Sequence, residues 1–115
     1  MTKVDVWFNG DKVEAEVADS LLKKSWGLSR RSEGKMLFVF SGERKPAIDM
    51  MLVPQPLHLY FLDADRVVVD SYRAEPWGVD PRTWRLYRPC VDSKFLLESF
   101  DDLDLREGDK LSFDL

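Results

Sequence analysis

Between positions 35 and 63, KMLFVFSGERKPAIDMMLVPQPLHLYFLD, apolar residues come in three runs, Met36 to Phe40, Ala47 to Val53 and Leu57 to Leu62. A polar loop and a Pro-x-Pro break separate them. Each run is short, rich in β-branched and aromatic side chains and bounded by Gly, Pro or charge, which predicts three strands. Nearly every position is apolar, so the alternation of a strand with one wet face is missing and both faces of the sheet are expected to be covered. The N-terminal pattern differs. Val4 to Phe8 and Val13 to Val17 flank Asn9-Gly10-Asp11-Lys12, and Asn-Gly supplies the positive φ values of a tight hairpin. Val13, Ala15 and Val17 alternate with Glu14 and Glu16, predicting a second strand wet on one side.

Asp19 or Ser20 can cap a short helix carrying Leu21, Leu22, Trp26 and Leu28 at near-helical spacing, with Gly27 as its stop. Gly42 to Pro46 reads as a solvated loop. Asp63-Ala64-Asp65-Arg66 is short enough to join Leu57–Leu62 to Val67–Tyr72 as a second hairpin. Phe95 to Phe100 returns to strand, Asp101 to Leu105 fits a single helical turn, and Arg106 to Asp109 turns into a last strand, Lys110 to Phe113. Residues 75 to 93, EPWGVDPRTWRLYRPCVDS, hold three of the six prolines and form a connection long enough to be a natural place for function. The expected fold is mainly β (α+β), a strongly bent or barrel-like mixed or antiparallel sheet with one short helix packed on it, in a single domain, 1–115.

The length suits one self-sustaining core. One cysteine, Cys90, excludes an intramolecular disulfide and any zinc site built from several thiolates. With no basic start followed by an apolar leader, and no run near the roughly 20 apolar residues that span a bilayer, a cytoplasmic protein without membrane association is expected. Net charge is −4, distributed as −1 over residues 1–65, +2 over 66–94 and −5 over 95–115. That lacks the broad positive footprint of phosphate-backbone binding, which argues against a nucleic-acid partner.

Trp26-Gly27-Leu28-Ser29-x-Arg31, then Met36-Leu37-Phe38-Val39-Phe40, a strand through Met50, Pro56-Leu57 and Phe61-Leu62-Asp63 follow in an order similar to domain-of-unknown-function family 192, an uncharacterised bacterial and archaeal family. Leu97-Glu98 and Gly108-Asp109-x-Leu111-x-Phe113 resemble its closing strands, so the likeness runs from about Val13 to Phe113. The resemblance implies a small, mostly β domain and brings no reaction with it. Where the family typically has Trp-Met-Lys-Asn this chain has Asp49-Met50-Met51-Leu52, and where the family usually has an acidic residue it has His58.

Candidate chemistry is sparse. His58 is the only histidine, which excludes any two-histidine metal site or relay; it shares a strand face with Tyr60 and Leu62. Asp49 interrupts an apolar run that would raise a carboxylate's pKa unless a cation or backbone donors compensate. Glu98 alternates with Leu96 and Phe100 on an inward face and needs a partner, for which Arg31 is the expected structural match. These three, Asp49, His58 and Glu98, are the weak candidates for an acid or base. Cys90 beside Arg88-Pro89 has no base at turn spacing. Asp101-Asp102-x-Asp104 lacks the glycine and distal glutamate of a calcium loop, so no metal and no cofactor are expected.

The 75–93 loop offers more. Trp77, Trp84 and Tyr87 are interleaved with Arg82, Arg85 and Arg88, and aromatic faces beside guanidinium forks can stack on rings while holding carboxylate or phosphate. The alternative is that the tryptophans seal the open end of the sheet and the arginines pair with acidic neighbours such as Asp80 and Asp92. The leading expectation is a non-enzymatic binding or accessory module using Trp77, Arg82, Trp84, Arg85 and Tyr87 to hold a small polar ligand such as a saccharide, or an acidic partner segment. The alternatives are a small enzyme working through Asp49, His58 or Glu98, and a homodimeric scaffold built on an open sheet edge. The expectation extends to a monomer or a homodimer.

Overall fold

The structure is a computed structural model that describes residues 3–18 and 33–115. The helix expected from Asp19 or Ser20 to Gly27, and Arg31 with its expected bond to Glu98, lie outside the described residues. Six strands form a mixed sheet: β1 (Lys3–Phe8), β2 (Asp11–Ala18), β3 (Lys35–Arg44), β4 (Leu57–Leu62), β5 (Val68–Ala74) and β6 (Ser93–Ser99). Their spatial order is β1-β2-β3-β6-β4-β5. β2 and β3 run parallel and all other neighbours are antiparallel. The Asn9-Gly10 hairpin forms as expected, with Asn9 at φ 49° and Gly10 at φ 81°. The β4–β5 hairpin also forms, closed by Asp63, whose Oδ1 accepts the amides of Asp65 and Val67.

Two of the apolar runs are central strands, β3 and β4, and β6 lies between them. In register, Phe38, Leu96 and Phe61 lie side by side across β3, β6 and β4, and the next row is Leu37, Leu97 and Tyr60. The first row faces one buried cluster with Met36, Phe40, Leu57 and Leu59; the second faces another with Leu62, Phe95 and Val68. Both faces are therefore covered, and a fully buried side chain of this size contributes about 1.5–3 kcal/mol. Ile48, Met50, Val53 and Tyr87 cover the first face, while Val6, Phe8, Ala15, Leu105, Leu111 and Phe113 cover the second.

Five expectations are corrected. Ala47 to Val53 is not a strand: only Ile48 pairs, with Tyr87, and Leu52 takes φ 61°. Pro46, Pro54 and Pro56 remove the donors a ladder needs, and the segment lies over the sheet with Ile48, Met50 and Val53 inward. Gly42 to Arg44 belongs to β3, which continues past a register shift between Val39 and Arg44. Asp101 to Leu105 forms no helical turn, and Lys110 to Phe113 contributes single bridges rather than a strand. Finally, the sheet does not close into a barrel: β1 and β5 are its edges. The C-terminal segment ties them loosely, with Ser112 bridging Trp7 and Lys110 bridging Val67. Among the described residues the helical structure is a single 3-10 turn, Pro81–Thr83, and no helix is long and apolar enough to cross a membrane.

Candidate functional site

The 75–93 loop leaves β5 and returns to β6 at one end of the sheet. Its root is fastened to the core. Tyr87 is 7% exposed, exchanges backbone hydrogen bonds with Ile48, and accepts the Glu75 amide on its hydroxyl at 3.1 Å. Tyr72 packs its ring against Tyr87 and donates its hydroxyl to the Arg88 carbonyl at 2.7 Å. Asp70 accepts the Cys90 amide at 2.9 Å. Burial, with the Asp70 carboxylate and Cys90 nearby, raises the Tyr72 phenol above its ordinary pKa.

The tip is braced by its own residues. Asp80 precedes Pro81 and caps the 3-10 turn by accepting the Arg82 amide, the pairing of a capping aspartate with a proline at the first turn position. The Arg82 guanidinium donates to Asp80 Oδ2 from Nε at 2.9 Å and from Nη2 at 2.7 Å, with Nε also 3.2 Å from Oδ1, and holds that carboxyl below its usual range. Thr83 Oγ1 donates to the Asp80 carbonyl and accepts the Gly78 amide, both at 2.7 Å. The Arg85 amide then donates to the Thr83 carbonyl at 2.9 Å, so Trp84, at φ −81° and ψ 72°, sits at the apex of an inverse γ-turn.

The two indoles stack, with centroids 5.7 Å apart and planes at 20°. Each is pinned by its N–H, Trp77 to the Arg85 carbonyl and Trp84 to the Gly78 carbonyl, both at 2.9 Å. Trp77 packs inward against the first core cluster. Trp84 lies outside it and stays 52% exposed. The expected residues thus divide: Tyr87 and Trp77 seal the sheet end, while Trp84, Arg82 and Arg85 are exposed. Of the two acidic partners expected for the arginines, Asp80 is engaged, and Asp92 makes no ion pair among the described residues.

The three acid–base candidates are dispersed. Asp49 is exposed, not in an apolar strand, and accepts the Met51 amide at 3.2 Å. Glu98 is 6% exposed, as its inward position required, beside Met36 and Leu59. His58, half-buried on β4, lies parallel to Tyr60 with centroids 6.4 Å apart. Tyr60 is the residue sequence reasoning passed over. Its hydroxyl accepts the Leu103 amide at 3.0 Å and donates to Asp102 at 3.3 Å. Burial, opposed by the Leu103 N–H and reinforced by the Asp102 carboxylate, pushes its phenol up to about 12. The Asp104 amide holds the Asp102 carboxyl down, helped by the nearby charge of His58 and by Tyr60. A tyrosine within an apolar run gives no signal of such a bond. Among the described residues no three metal-ligating side chains cluster.

The fold has solved counterparts. A crystal structure of a candidate transcription regulator from Sinorhizobium meliloti matches with TM-score 0.79 at 20% identity, over 96% of this chain and 92% of that one. A protein of unknown function from Novosphingobium aromaticivorans matches with TM-score 0.76 at 21% identity, over 96% and 83%. At such identities the likeness is one of fold alone. UPF0127 proteins of Thermococcus gammatolerans and Thermococcus sibiricus are 30% and 28% identical, each over 99% of this chain and 72% of its relative. Residues 4–113 match the model of the family described as DUF192, Uncharacterized ACR, and with the strand order and core now in place the chain belongs to that family.

Proposed function

We propose that the protein is a non-enzymatic binding or accessory module whose 75–93 loop holds a small polar ligand of the saccharide class against Trp84. The observation that carries this reading is that Trp84 is fixed and yet open. Its ring is stacked on Trp77 and its N–H is bonded to Gly78, while 52% of the residue faces solvent. A ring already immobilised loses little conformational freedom when a ligand stacks on it, so more of the contact energy appears as affinity. Exposed tryptophan with arginine beside it is a common ring-binding surface.

The acid–base candidates give the competing enzymatic reading little support. Asp49 is solvated, and Glu98 and His58 lie on opposite faces of the sheet, since Glu98 adjoins Leu59 while His58 adjoins Tyr60. A general acid or base acts from a desolvated, positioned place beside its substrate.

The test is a nitrogen–proton correlation spectrum, following the tryptophan indole signals during titration with a panel of mono- and disaccharides, and with acidic peptides as the second partner class. The expected result is movement of the Trp84 and Trp77 signals with saccharide, abolished in Trp84→Ala while the rest of the spectrum stays folded. Movement with acidic peptides alone would reassign the loop to a protein partner. No movement with either would remove the proposal.

A further inference from the structure

We infer that the loop selects an acidic saccharide, one carrying a carboxylate on the sugar ring, over its neutral counterpart; this rests on the binding reading above and names the class of ligand. The inference follows from counting which polar side-chain groups of the loop tip remain uncommitted. Neutral sugars are vicinal diols, whose hydroxyls each donate and accept, so a side-chain site for them supplies acceptors as well as donors. Here the acceptors are spent. The Asp80 carboxylate is taken up by the Arg82 amide and guanidinium. Thr83 Oγ1 both donates and accepts within the loop. Both indole N–H groups are bound to backbone carbonyls.

What is left on the residue that follows Trp84 in the chain is a cation. Arg85 is exposed, and its guanidinium makes no ion pair or hydrogen bond among the described residues. Its backbone is not loose: its amide closes the γ-turn on Thr83 and its carbonyl accepts the Trp77 indole. The side chain is thus anchored at its base and offers five N–H donors and no acceptor. A fork of donors on the residue next to an exposed tryptophan matches a ring with a carboxylate attached, because a guanidinium binds a carboxylate through two parallel charge-assisted bonds that a hydroxymethyl group cannot form. Arg82 contributes less, since Asp80 already neutralises it.

The experiment compares two disaccharides that differ at one carbon, cellobiose and glucuronosyl-β-1,4-glucose, by titration of the full chain at low salt with the Trp84 indole signal as readout. Sodium acetate serves as the free-anion control. The acidic sugar is expected to bind about tenfold more tightly, the factor that corresponds to one good charge-assisted contact. Arg85→Gln is expected to bring the two sugars to the same affinity while both still move the Trp84 signal. Equal or tighter binding of cellobiose by the native chain overturns the inference and leaves the binding module standing. A preference that survives in Arg85→Gln, or a Trp84 shift produced equally by acetate, also overturns it. If neither sugar moves the indole, the saccharide reading itself fails, and this assignment with it.

Discussion

A single hydroxyl shows how much the physical role of a residue depends on what the fold brings to it. Tyr60 sits in Leu57-His58-Leu59-Tyr60-Phe61-Leu62 and reads as core, which it is at 3% exposed. Its oxygen nevertheless fixes the turn after β6 through the Leu103 amide and Asp102. Replacing Tyr60 by Phe keeps the ring and leaves the Leu103 N–H without its acceptor, so a loss of about 1–3 kcal/mol is expected in urea unfolding at neutral pH. The pH dependence has a definite sign. The folded state raises the phenol from an ordinary value near 10 to about 12, favouring the protonated form. Its contribution is therefore complete below about pH 10 and is lost as pH rises through about 12. Melting temperatures from pH 9 to 12.5 should fall less steeply in Tyr60→Phe than in the native chain, with the remaining slope owed in part to Tyr72, which burial also raises. An unchanged slope would show that the hydroxyl does not carry the effect. At the acid end Asp102 behaves oppositely: its lowered carboxyl contributes above the ordinary aspartate range and the contribution is lost as pH falls through the folded value. Asp102→Asn should flatten that acid limb.

At the scale of elements, the 75–93 loop separates sealing from exposure. Tyr87 is buried and bonded through backbone and hydroxyl, so Tyr87→Ala should cost about 3–5 kcal/mol. Trp84→Ala removes a half-exposed ring and should cost much less, roughly 1 kcal/mol, while abolishing saccharide shifts. Denaturant midpoints of the two variants check the contrast; equal losses would make Trp84 a structural residue. Asp80→Ala, which removes the cap and the Arg82 clamp together, should cost about 1 kcal/mol and raise proteolytic cutting near Pro81. The sequence disclosed those elements whose pattern is local. Asn9-Gly10 announced its hairpin, and the near-unbroken apolar runs Met36 to Phe40 in β3 and Leu57 to Leu62 in β4 announced a sheet covered on both sides. It misled where apolar pattern and backbone pairing part company. Ala47 to Val53 is as apolar as a strand because it lies on one, and only the flanking prolines hinted that it could not join the ladder. The aromatic and arginine interleaving of the loop was visible, but not which ring would be buried. Tyr87 is buried because its backbone pairs with Ile48, a residue 39 positions away, and nothing local to either segment specifies that contact.

For the molecule as a whole, the decisive feature is that two buried clusters share one set of strands. Leu96 belongs to the first and Leu97 to the second, as do Phe61 and Leu62, so neither face can lose its packing without disturbing the backbone that holds the other. The loop is coupled to the first cluster through Tyr87, whereas the C-terminal segment closes the second. Phe113, 2% exposed, packs edge-on to Phe95 at 5.1 Å and lies 4.2 Å beneath the Arg66 guanidinium. Its loss should therefore be felt at the loop, on the other face. Phe113→Ala is expected to destabilise by about 3–5 kcal/mol, with unfolding followed by the Trp77 and Trp84 indole signals of the loop and by far-ultraviolet circular dichroism remaining superimposable. The coupling follows from geometry: Phe95 and Leu97 of β6 lie in the cluster that Leu111 and Phe113 cover, while Leu96 between them lies in the cluster that holds Tyr87. Two separated transitions, with the loop probe unmoved at the midpoint of the first, would show instead that the faces unfold independently. In that case the sheet would transmit nothing from the C-terminal segment to the loop, and a ligand bound at Trp84 would stabilise only one half of the structure.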